Sequence, residues 1–264
     1  MEVQAPERQH SLAQYRVPGL PSSMYYITNF ITEEEEKSIL ESVRKVSRSA
    51  DILITNCVQI SPNKWISLTK RRLQAVPARL TASNTLVSNT ELPNWLTTHI
   101  TKKFTDLGLF IQAPHGQANH CLINEYLPGQ GIMPHEDGAA YHPIVATVSL
   151  SGTLVLDVTS KPTTNNEQAE VGKRSWRILQ EPRSLLVTTD EAYTDTLHGI
   201  AEISEDIGLG ESYVANWSLL GDEVKSSIRN AGGVNKRETR VSLTFRDVLK
   251  VSTLGSKIFG KPRG

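Results

Sequence analysis

The chain has 264 residues, and its 28 Lys and Arg residues balance its 28 Asp and Glu residues, so the formal net charge is zero. A zero balance excludes a histone-like protein whose whole surface binds phosphate, and a hydrophobic fraction of 38% with a charged fraction of 21% excludes a disordered or collagen-like chain. The only two cysteines, Cys57 and Cys121, exclude a disulfide scaffold and favour a reducing compartment.

The start of the chain contains no apolar run of the kind found in a secretory signal. No window has the roughly 18 uninterrupted apolar residues that a membrane span needs. The sequence therefore predicts a soluble protein of the cytoplasm and nucleus with no membrane partner, and we expect a monomer.

The N-terminal part of the chain contains the clearest helix signals. Residues 1–22 are polar, contain three prolines and lack periodicity, so we expect an irregular arm there. A helix is predicted over Thr32–Val46, because a threonine with a glutamate three residues later forms a capping box at its start. A second helix is predicted over Pro93–Leu107, where apolar residues repeat at helical spacing. We assign residues 23–117 to a helical extension that includes a lid.

Short apolar runs separated by Gly, Pro and polar loops occupy residues 118–250 and predict strands. The predicted strands are Cys121–Leu127, Gly131–His135, Ile144–Leu150, Thr153–Val158, Ser175–Gln180, Ser184–Thr188, Ser212–Ser218 and Arg240–Val248. Helices precede strands without βαβ alternation, which predicts an α+β fold, an antiparallel sandwich or jelly roll with the N-terminal helices packed outside. We expect a polar hairpin loop over Ser160–Lys173 and a basic C-terminal tail over 251–264.

An H-x-D motif at His135 and Asp137 is the first candidate for chemistry. Alternate side chains of a strand share a face, so these two point to the same side. His198 on a neighbouring strand would complete two imidazoles and one carboxylate, the facial triad of non-haem Fe(II) oxygenases. By itself the motif is equally compatible with an ordinary hydrogen-bonded histidine.

The final predicted strand, RVSLTFRDV, adds a second observation. Arg240 and Arg246 share one face with two hydroxyl residues, while the other face is apolar. Two inward-facing arginines would be costly to bury without anionic partners, and a dicarboxylate cosubstrate beside the metal would supply them. The alternative is an edge strand whose polar face lies in water.

Four motifs occur in a recognisable order: N-x-Y-x-P-G at Asn124–Gly129, then H-x-D, then a distant histidine, then R-x5-R. In this order they resemble the AlkB-like Fe(II)/2-oxoglutarate dioxygenases, and the text from His135 to Val158 looks most like the branch known as AlkB homologue six. The resemblance covers about Trp65 to Val248. It implies a jelly-roll core of the double-stranded β-helix type, Fe(II) as cofactor, and 2-oxoglutarate and O2 as cosubstrates.

The resemblance also implies roles for individual residues. His135, Asp137 and His198 match the iron ligands. Arg240 matches the arginine that binds the far (C5) carboxylate of 2-oxoglutarate, and Tyr126 matches the hydrogen-bond donor to the same end. The remaining two matches are Asn124, which contacts the cosubstrate nearer the iron, and Arg246, which lies close to the C1 carboxylate and to the aspartate ligand.

In the resembled family the substrate lid precedes the core, and the matching segment here is Ser61–Gln74. It offers Trp65 as a stacking surface and Arg71 and Arg72, with two neighbouring lysines, as phosphate partners for single-stranded nucleic acid. Tyr141 is a further candidate for substrate contact. The alternative is a surface segment that Trp65 anchors in the core.

The sequence leaves the substrate open. The preferred hypothesis is oxidative demethylation of alkylated RNA or DNA, in which 2-oxoglutarate is converted to succinate and CO2 and an N-methyl group leaves as formaldehyde. The alternatives are a nucleic-acid- or protein-binding module of the same fold with little turnover, and a protein hydroxylase. A zinc hydrolase with the same three ligands is a weaker alternative, because it leaves the two arginines without a purpose.

Overall fold

The computed structural model describes residues 12–20, 23–49, 65–88, 90–161 and 174–253. Its strands in chain order are β1 (Met24–Ile27), β2 (Ile66–Leu68), β3 (Arg71–Val76), β4 (Thr85–Val87), β5 (His120–Tyr126), β6 (Ile132–His135), β7 (Ile144–Ser151), β8 (Leu154–Ser160), β9 (Ser175–Gln180), β10 (Leu185–Thr189), β11 (Thr196–Ile200), β12 (Glu205–Asp206), β13 (Asn235–Lys236), β14 (Arg240–Arg246) and β15 (Lys250–Ser252). Its helices are α1 (Glu33–Ser49), α2 (Asn94–Leu96), α3 (Lys102–Asp106), α4 (Asp190–Thr194) and α5 (Asp222–Asn230). No helix within these residues is long and apolar enough to cross a bilayer.

Two antiparallel sheets face each other and form the predicted jelly roll. The larger sheet has the strand order β1-β10-β7-β14-β5-β3-β2, and the smaller has the order β6-β11-β8-β9. Side chains from both sheets line one cavity between them. The other face of the larger sheet is covered by α1, α2 and α3, whose apolar side chains pack against it in a single hydrophobic cluster.

The strand β14 lies in the middle of the larger sheet, between β7 and β5, and all seven of its residues are buried. Its apolar residues, Val241, Leu243 and Phe245, belong to the cluster beneath the helices. Its polar residues, Arg240 and Arg246 among them, face the cavity. The alternative of an edge strand with its polar face in water is therefore wrong.

Both predicted N-terminal helices are present. At the start of α1 the Glu35 N–H donates to Thr32 Oγ1 at 3.2 Å, and the Thr32 N–H donates to Glu35 Oε2 at 2.9 Å, which is the predicted capping box. The second helix is interrupted by a π-helical turn at Thr97–Thr101 between α2 and α3. Its apolar side chains Ile100 and Phe104 are nevertheless buried, as their spacing predicts.

The prediction that helices come first and strands follow is wrong for part of residues 23–117. In this region β1 pairs with β10 and β3 pairs with β5, so both belong to the larger sheet. The sequence of β3, RRLQAV, does not predict a strand, because its arginines and glutamine break the alternation of apolar and polar residues. Backbone pairing with β5 decides its conformation. The division of the chain into an extension and a core stays a prediction.

The predicted strand at Ser212–Ser218 is also wrong. The segment forms turns that end in a 3-10 helix at Trp217–Leu219. The adjacent residues Asn216 and Trp217 are both buried, which breaks the two-residue alternation of a strand.

Parts of four predicted segments lie outside the described residues: 1–11 and 21–22 of the arm, 61–64 of the lid segment, 162–173 of the hairpin loop and 254–264 of the tail. The strands that flank the loop, β8 and β9, pair as a hairpin does. The predicted tail starts at residue 251, which lies within β15. This strand pairs in parallel with β4.

Candidate active site

Three potential metal ligands meet at one end of the smaller sheet. His135, the last residue of β6, is the direct cross-strand partner of His198 in β11, and their ring centroids are 4.4 Å apart. Asp137 follows two residues after His135. One ligand atom from each of the three side chains lies within 4.8 Å of the others. The structure therefore brings together the three residues of the predicted triad.

The two imidazoles are held in forms suited to binding a metal. His135 Nδ1 lies 2.9 Å from the Met133 carbonyl oxygen. A carbonyl can only accept, so Nδ1 is the donor in this contact and Nε2 is the ring nitrogen left to bind a metal. Burial lowers the pKa of His198 to about 4, although Asp137 opposes this shift. Two imidazoles and a carboxylate form a donor set that fits Fe(II).

Asp137 is held ionised by an arginine from the opposite sheet. Its Oδ1 accepts a short hydrogen bond from Arg246 Nη2, and both side chains are buried. Burial alone would raise the Asp137 pKa, but Arg246 and, to a lesser extent, His198 offset this and keep the pKa below its ordinary value. The arginine thus joins β14 to the metal-ligand cluster.

A cavity of about 280 Å³ opens beside the triad, between the two sheets. Its wall contains all three triad residues and all four predicted cosubstrate residues: Asn124, Tyr126, Arg240 and Arg246. Tyr126 faces Arg240, and Asn124 faces Ser242, across the β5–β14 ladder. The residues that the sequence assigns to metal and cosubstrate therefore line the same space.

Arg240 is a buried cation without an ion pair among the described residues. Its Nη2 donates to Ser149 Oγ at 2.8 Å and, in a shorter hydrogen bond, to Gln180 Oε1. Its Nε is buried and has no hydrogen-bond partner. Burial lowers its pKa to about 10, so it still carries its charge at neutral pH. Such a group needs an anion in the cavity.

Arg246 also retains donors for a ligand. Its Nε and Nη1 are buried without partners, while Nη2 is engaged by Asp137. The unpartnered N–H groups of Arg240 and Arg246 fit the two carboxylates of a dicarboxylate such as 2-oxoglutarate.

Three residues of this site were missed by sequence reasoning. Ser149 and Gln180 orient Arg240 through its Nη2, and the Tyr193 hydroxyl donates to the Gly138 carbonyl at 2.9 Å, next to Asp137. Gln180 follows the buried apolar pair Ile178 and Leu179 at the end of β9, and a polar residue at that position is the only signal the sequence offers. The other two have none.

Two of the four residues predicted to contact the substrate line the cavity, and two do not. Arg71 and Tyr141 line the cavity, and the Arg246 guanidinium lies over the Tyr141 ring at 4.9 Å. Trp65 and Arg72 do not line it, and their assignment to substrate contact stays a prediction.

The physical reason is the alternation of β3, in which adjacent residues point to opposite faces. Arg72 therefore pairs with Glu125 on the far side of the sheet, with N–O distances of 2.6 and 2.7 Å. Its guanidinium lies over the Trp65 ring at 4.4 Å. Trp65 packs against the core cluster, as the alternative for this segment states. The neighbouring Lys64 lies outside the described residues.

Comparison with known proteins gives concordant results. The profile of the 2OG-Fe(II) oxygenase superfamily matches residues 23–246. A zebrafish (Danio rerio) protein named "Probable RNA/DNA demethylase ALKBH6" is 36% identical over 244 residues, which are 91% of this chain and 92% of the zebrafish protein.

Two further similarities are more distant. A Xenopus tropicalis protein named "tRNA (carboxymethyluridine(34)-5-O)-methyltransferase alkbh8" is 28% identical over 240 residues, 88% of this chain but 32% of the frog protein. Among solved structures, that of OsALKBH1 superposes with a TM-score of 0.53 at 12% identity, covering 86% of this chain and 98% of that one. At such low identity the structural match shows the fold alone.

Proposed function

The chain belongs to the 2OG-Fe(II) oxygenase superfamily, and from that premise we propose that it removes alkyl groups oxidatively from the bases of RNA or DNA. Members of this family are dioxygenases that use Fe(II) as cofactor and 2-oxoglutarate and O2 as cosubstrates. Bound together, the iron and 2-oxoglutarate supply the oxidising chemistry, which consumes O2, releases succinate and CO2 and adds one oxygen atom to a substrate C–H bond. Hydroxylation of an N-methyl group gives a hemiaminal that breaks down to formaldehyde and the unmodified base.

The observation that carries the proposal is that the His135–Asp137–His198 cluster and the unpartnered arginine donors open into one cavity. In the proposal the three side chains hold the iron. The proton on His135 Nδ1 directs Nε2 to the metal, and Arg246 keeps the Asp137 carboxylate ionised and oriented.

In the proposal the two arginines interact with different carboxylates of 2-oxoglutarate. Arg240, oriented by Ser149 and Gln180, binds the C5 carboxylate, and Arg246 lies near the C1 carboxylate. Burial raises the pKa of Tyr126, so its phenol keeps the proton that it donates to the C5 end. Asn124 contacts the part of the cosubstrate nearer the iron. Because all four side chains lie in the cavity wall, the cosubstrate excludes water from the space that it fills.

Two observations support nucleic acid as the substrate class. The zebrafish relative that matches over nine-tenths of both chains carries the name of an RNA/DNA demethylase, and the more distant frog relative carries the name of a tRNA-modifying enzyme. In this chain, the cavity wall also includes an aromatic ring, Tyr141, and a further arginine, Arg71, which suit a base and its phosphate.

The test is succinate formation by the Fe(II)-loaded protein with 2-oxoglutarate and O2. Methylated single-stranded RNA and DNA oligonucleotides are compared with unmethylated oligonucleotides of the same sequence. We expect turnover to rise with one methylated oligonucleotide, formaldehyde to appear in equal amount, and both to vanish in His135→Ala. Turnover that no nucleic acid changes would contradict the proposal and favour a protein hydroxylase. A protein that binds iron but forms no succinate would also contradict the proposal and would favour a binding module.

A further inference from the structure

The carboxylate of the triad lies outside the strands that position the two histidines. His135 ends β6 and pairs directly with His198 in β11. Asp137 and Gly138 follow the end of β6, and Gly138 has a φ of 79°, in the left-handed region that favours glycine. Strand pairing therefore does not fix the backbone that carries the carboxylate, and other contacts must hold it beside the two imidazoles.

Two contacts hold side chains of this segment and not its backbone. Arg246 donates to the Asp137 carboxylate, and Lys161 pairs with the neighbouring Glu136. The first contact acts on the end of a side chain, so it does not constrain the peptide groups that follow Asp137. The second lies at the surface, where the Glu136 side chain is 55% exposed, and ion pairs of this kind stabilise a structure little.

The Tyr193 hydroxyl makes a contact with the backbone itself. It donates to the Gly138 carbonyl at 2.9 Å, one residue after Asp137. The Tyr193 side chain is partly buried and lines the cavity. Burial and, to a lesser extent, the Asp137 charge raise the pKa of its phenol, so the hydroxyl keeps its proton and stays a donor. This hydrogen bond joins the cavity wall to the turn that follows the carboxylate.

Tyr193 lies on a short helix that hydrogen bonds hold in place. The helix, α4, lies between β10 and β11. The Ala192 N–H donates to Ser23 Oγ at 3.0 Å, and Thr196 Oγ1 donates to the Ala192 carbonyl at 2.6 Å. A side chain on a fixed helix positions a neighbouring group more precisely than one on a loop. Because Thr196 is the first residue of β11, Tyr193 links the turn after Asp137 to the strand of the second histidine.

The far part of the same turn is held by backbone hydrogen bonds. The His142 N–H donates to the Asp247 carbonyl at 2.9 Å, and the Leu249 N–H donates to the Ala140 carbonyl at 3.1 Å. These bonds join the turn to the chain that follows β14. Because they involve no side chain, a substitution in α4 leaves them intact, and only the part of the turn next to the carboxylate loses a contact.

We propose that Tyr193 is a positioning residue, which holds the backbone after Asp137 so that the carboxylate meets the metal together with the two histidines. The assignment rests on the iron-binding part of the proposed function. Tyr193 acts through the Gly138 carbonyl and is not itself a ligand. Loss of its hydroxyl keeps all three ligands but lets the carboxylate move, so iron is held less tightly in a protein that is still folded.

The experiment compares Tyr193→Phe with the matched control Tyr213→Phe, which removes the hydroxyl of an exposed tyrosine outside the cavity. Anaerobic equilibrium dialysis without nucleic acid measures the dissociation constant for Fe(II). We expect Tyr193→Phe to raise this constant about 3- to 10-fold, the effect of one hydrogen bond close to a metal ligand. Tyr213→Phe should change it less than about twofold.

Two further readouts separate positioning from a general loss of stability. The visible absorption of the anaerobic complex with Fe(II) and 2-oxoglutarate reports on the coordination of the metal, and its maximum should move in Tyr193→Phe but not in Tyr213→Phe. Thermal unfolding of the metal-free protein reports on stability, and the two variants should unfold at similar temperatures.

A second set of variants tests whether Tyr193 acts through the Gly138 carbonyl. A Cβ at Gly138 would meet no atom within 4 Å, so Gly138→Ala disturbs the turn through its positive φ and not through a clash. We expect Gly138→Ala to weaken Fe(II) binding about 5-fold or more, and Gly138→Asn to weaken it less, because asparagine tolerates a positive φ. In the double variant Gly138→Ala/Tyr193→Phe the two effects should not multiply, since both substitutions disturb the same carbonyl.

Two results would overturn the assignment. One is a Tyr193→Phe variant that binds Fe(II) as tightly as the wild type and has the same absorption spectrum. The other is a double variant whose loss equals the product of the two single losses, which would make Tyr193 a packing residue. The proposed function fails separately, if the wild type binds iron but no nucleic acid stimulates it, and the effect of Tyr193 on iron binding is still measured. A wild type that binds no iron would overturn both proposals.

Discussion

Arg240 shows at the scale of one residue how a buried charge identifies a ligand. Its guanidinium is almost fully buried, yet only one of its nitrogens is hydrogen-bonded, to the neutral acceptors Ser149 and Gln180. An unpaired buried charge is costly, so a fold retains it where a ligand supplies the counter-charge. The sequence could predict this residue because R-x5-R on a strand places both arginines on one face. It could not predict Gln180, because contacts between distant strands leave no local pattern.

We expect Arg240→Met to weaken 2-oxoglutarate binding at least about 30-fold, which corresponds to about 2 kcal/mol, because it removes a charged partner from a buried site. Fe(II) binding by the same variant should be unchanged, since Arg240 does not contact the triad. Calorimetric titration of the Fe(II)-loaded protein with 2-oxoglutarate under anaerobic conditions measures the first quantity, and equilibrium dialysis measures the second. Equal affinity of variant and wild type for 2-oxoglutarate would show that Arg240 does not bind the cosubstrate.

At the scale of elements, the site depends on how β11 and β14 are joined. His198 lies in β11, and the next strand along the chain is β12. β12 pairs with β13, and β13 is followed by β14, which contains Arg240 and Arg246. Asp206 in β12 and Arg237 after β13 form a buried bidentate ion pair, with N–O distances of 3.0 and 2.6 Å. This pair stabilises the link between the strand of His198 and the strand of Arg240 and Arg246.

We expect Asp206→Ala to destabilise the protein by about 3–5 kcal/mol, because it leaves the Arg237 charge buried and unpaired. The adjacent Glu205→Ala is the matched control, since Glu205 is exposed, and it should change stability by less than about 0.5 kcal/mol. Urea unfolding followed by circular dichroism measures the difference. If the two variants unfold at the same urea concentration, the ion pair does not stabilise this link.

The elements also show where sequence patterns stop being informative. The capping box predicts the start of α1, and the alternation in RVSLTFR predicts which face of β14 lines the cavity. β11 has no such pattern, because a histidine and a glycine interrupt its five residues. β3 begins with two charges and is a strand only because β5 offers it a partner. Long-range pairing decided both strands.

At the scale of the whole molecule, the fold is a jelly roll whose two sheets contribute different parts of the site. The smaller sheet positions His135 and His198, and the larger sheet positions Arg240 and Arg246. The hydrogen bond between Asp137 and Arg246 joins the two sets. Motif order was sufficient to predict that the three triad residues and these arginines lie together, because the resemblance spans most of the chain. Their roles as ligands stay predictions. It was not sufficient for the substrate candidates, since adjacent residues of β3 point to opposite faces of the sheet.

The most direct test of this account is the Fe(II) content of the purified protein after anaerobic loading and dialysis. We predict one tightly bound iron per chain in the wild type and none in His135→Ala, Asp137→Ala or His198→Ala, with each variant still folded by circular dichroism. His99→Ala should keep its iron, because His99 lies beside Glu35 and away from the cavity. Stoichiometric iron in all three triad variants would contradict the assignment of the site.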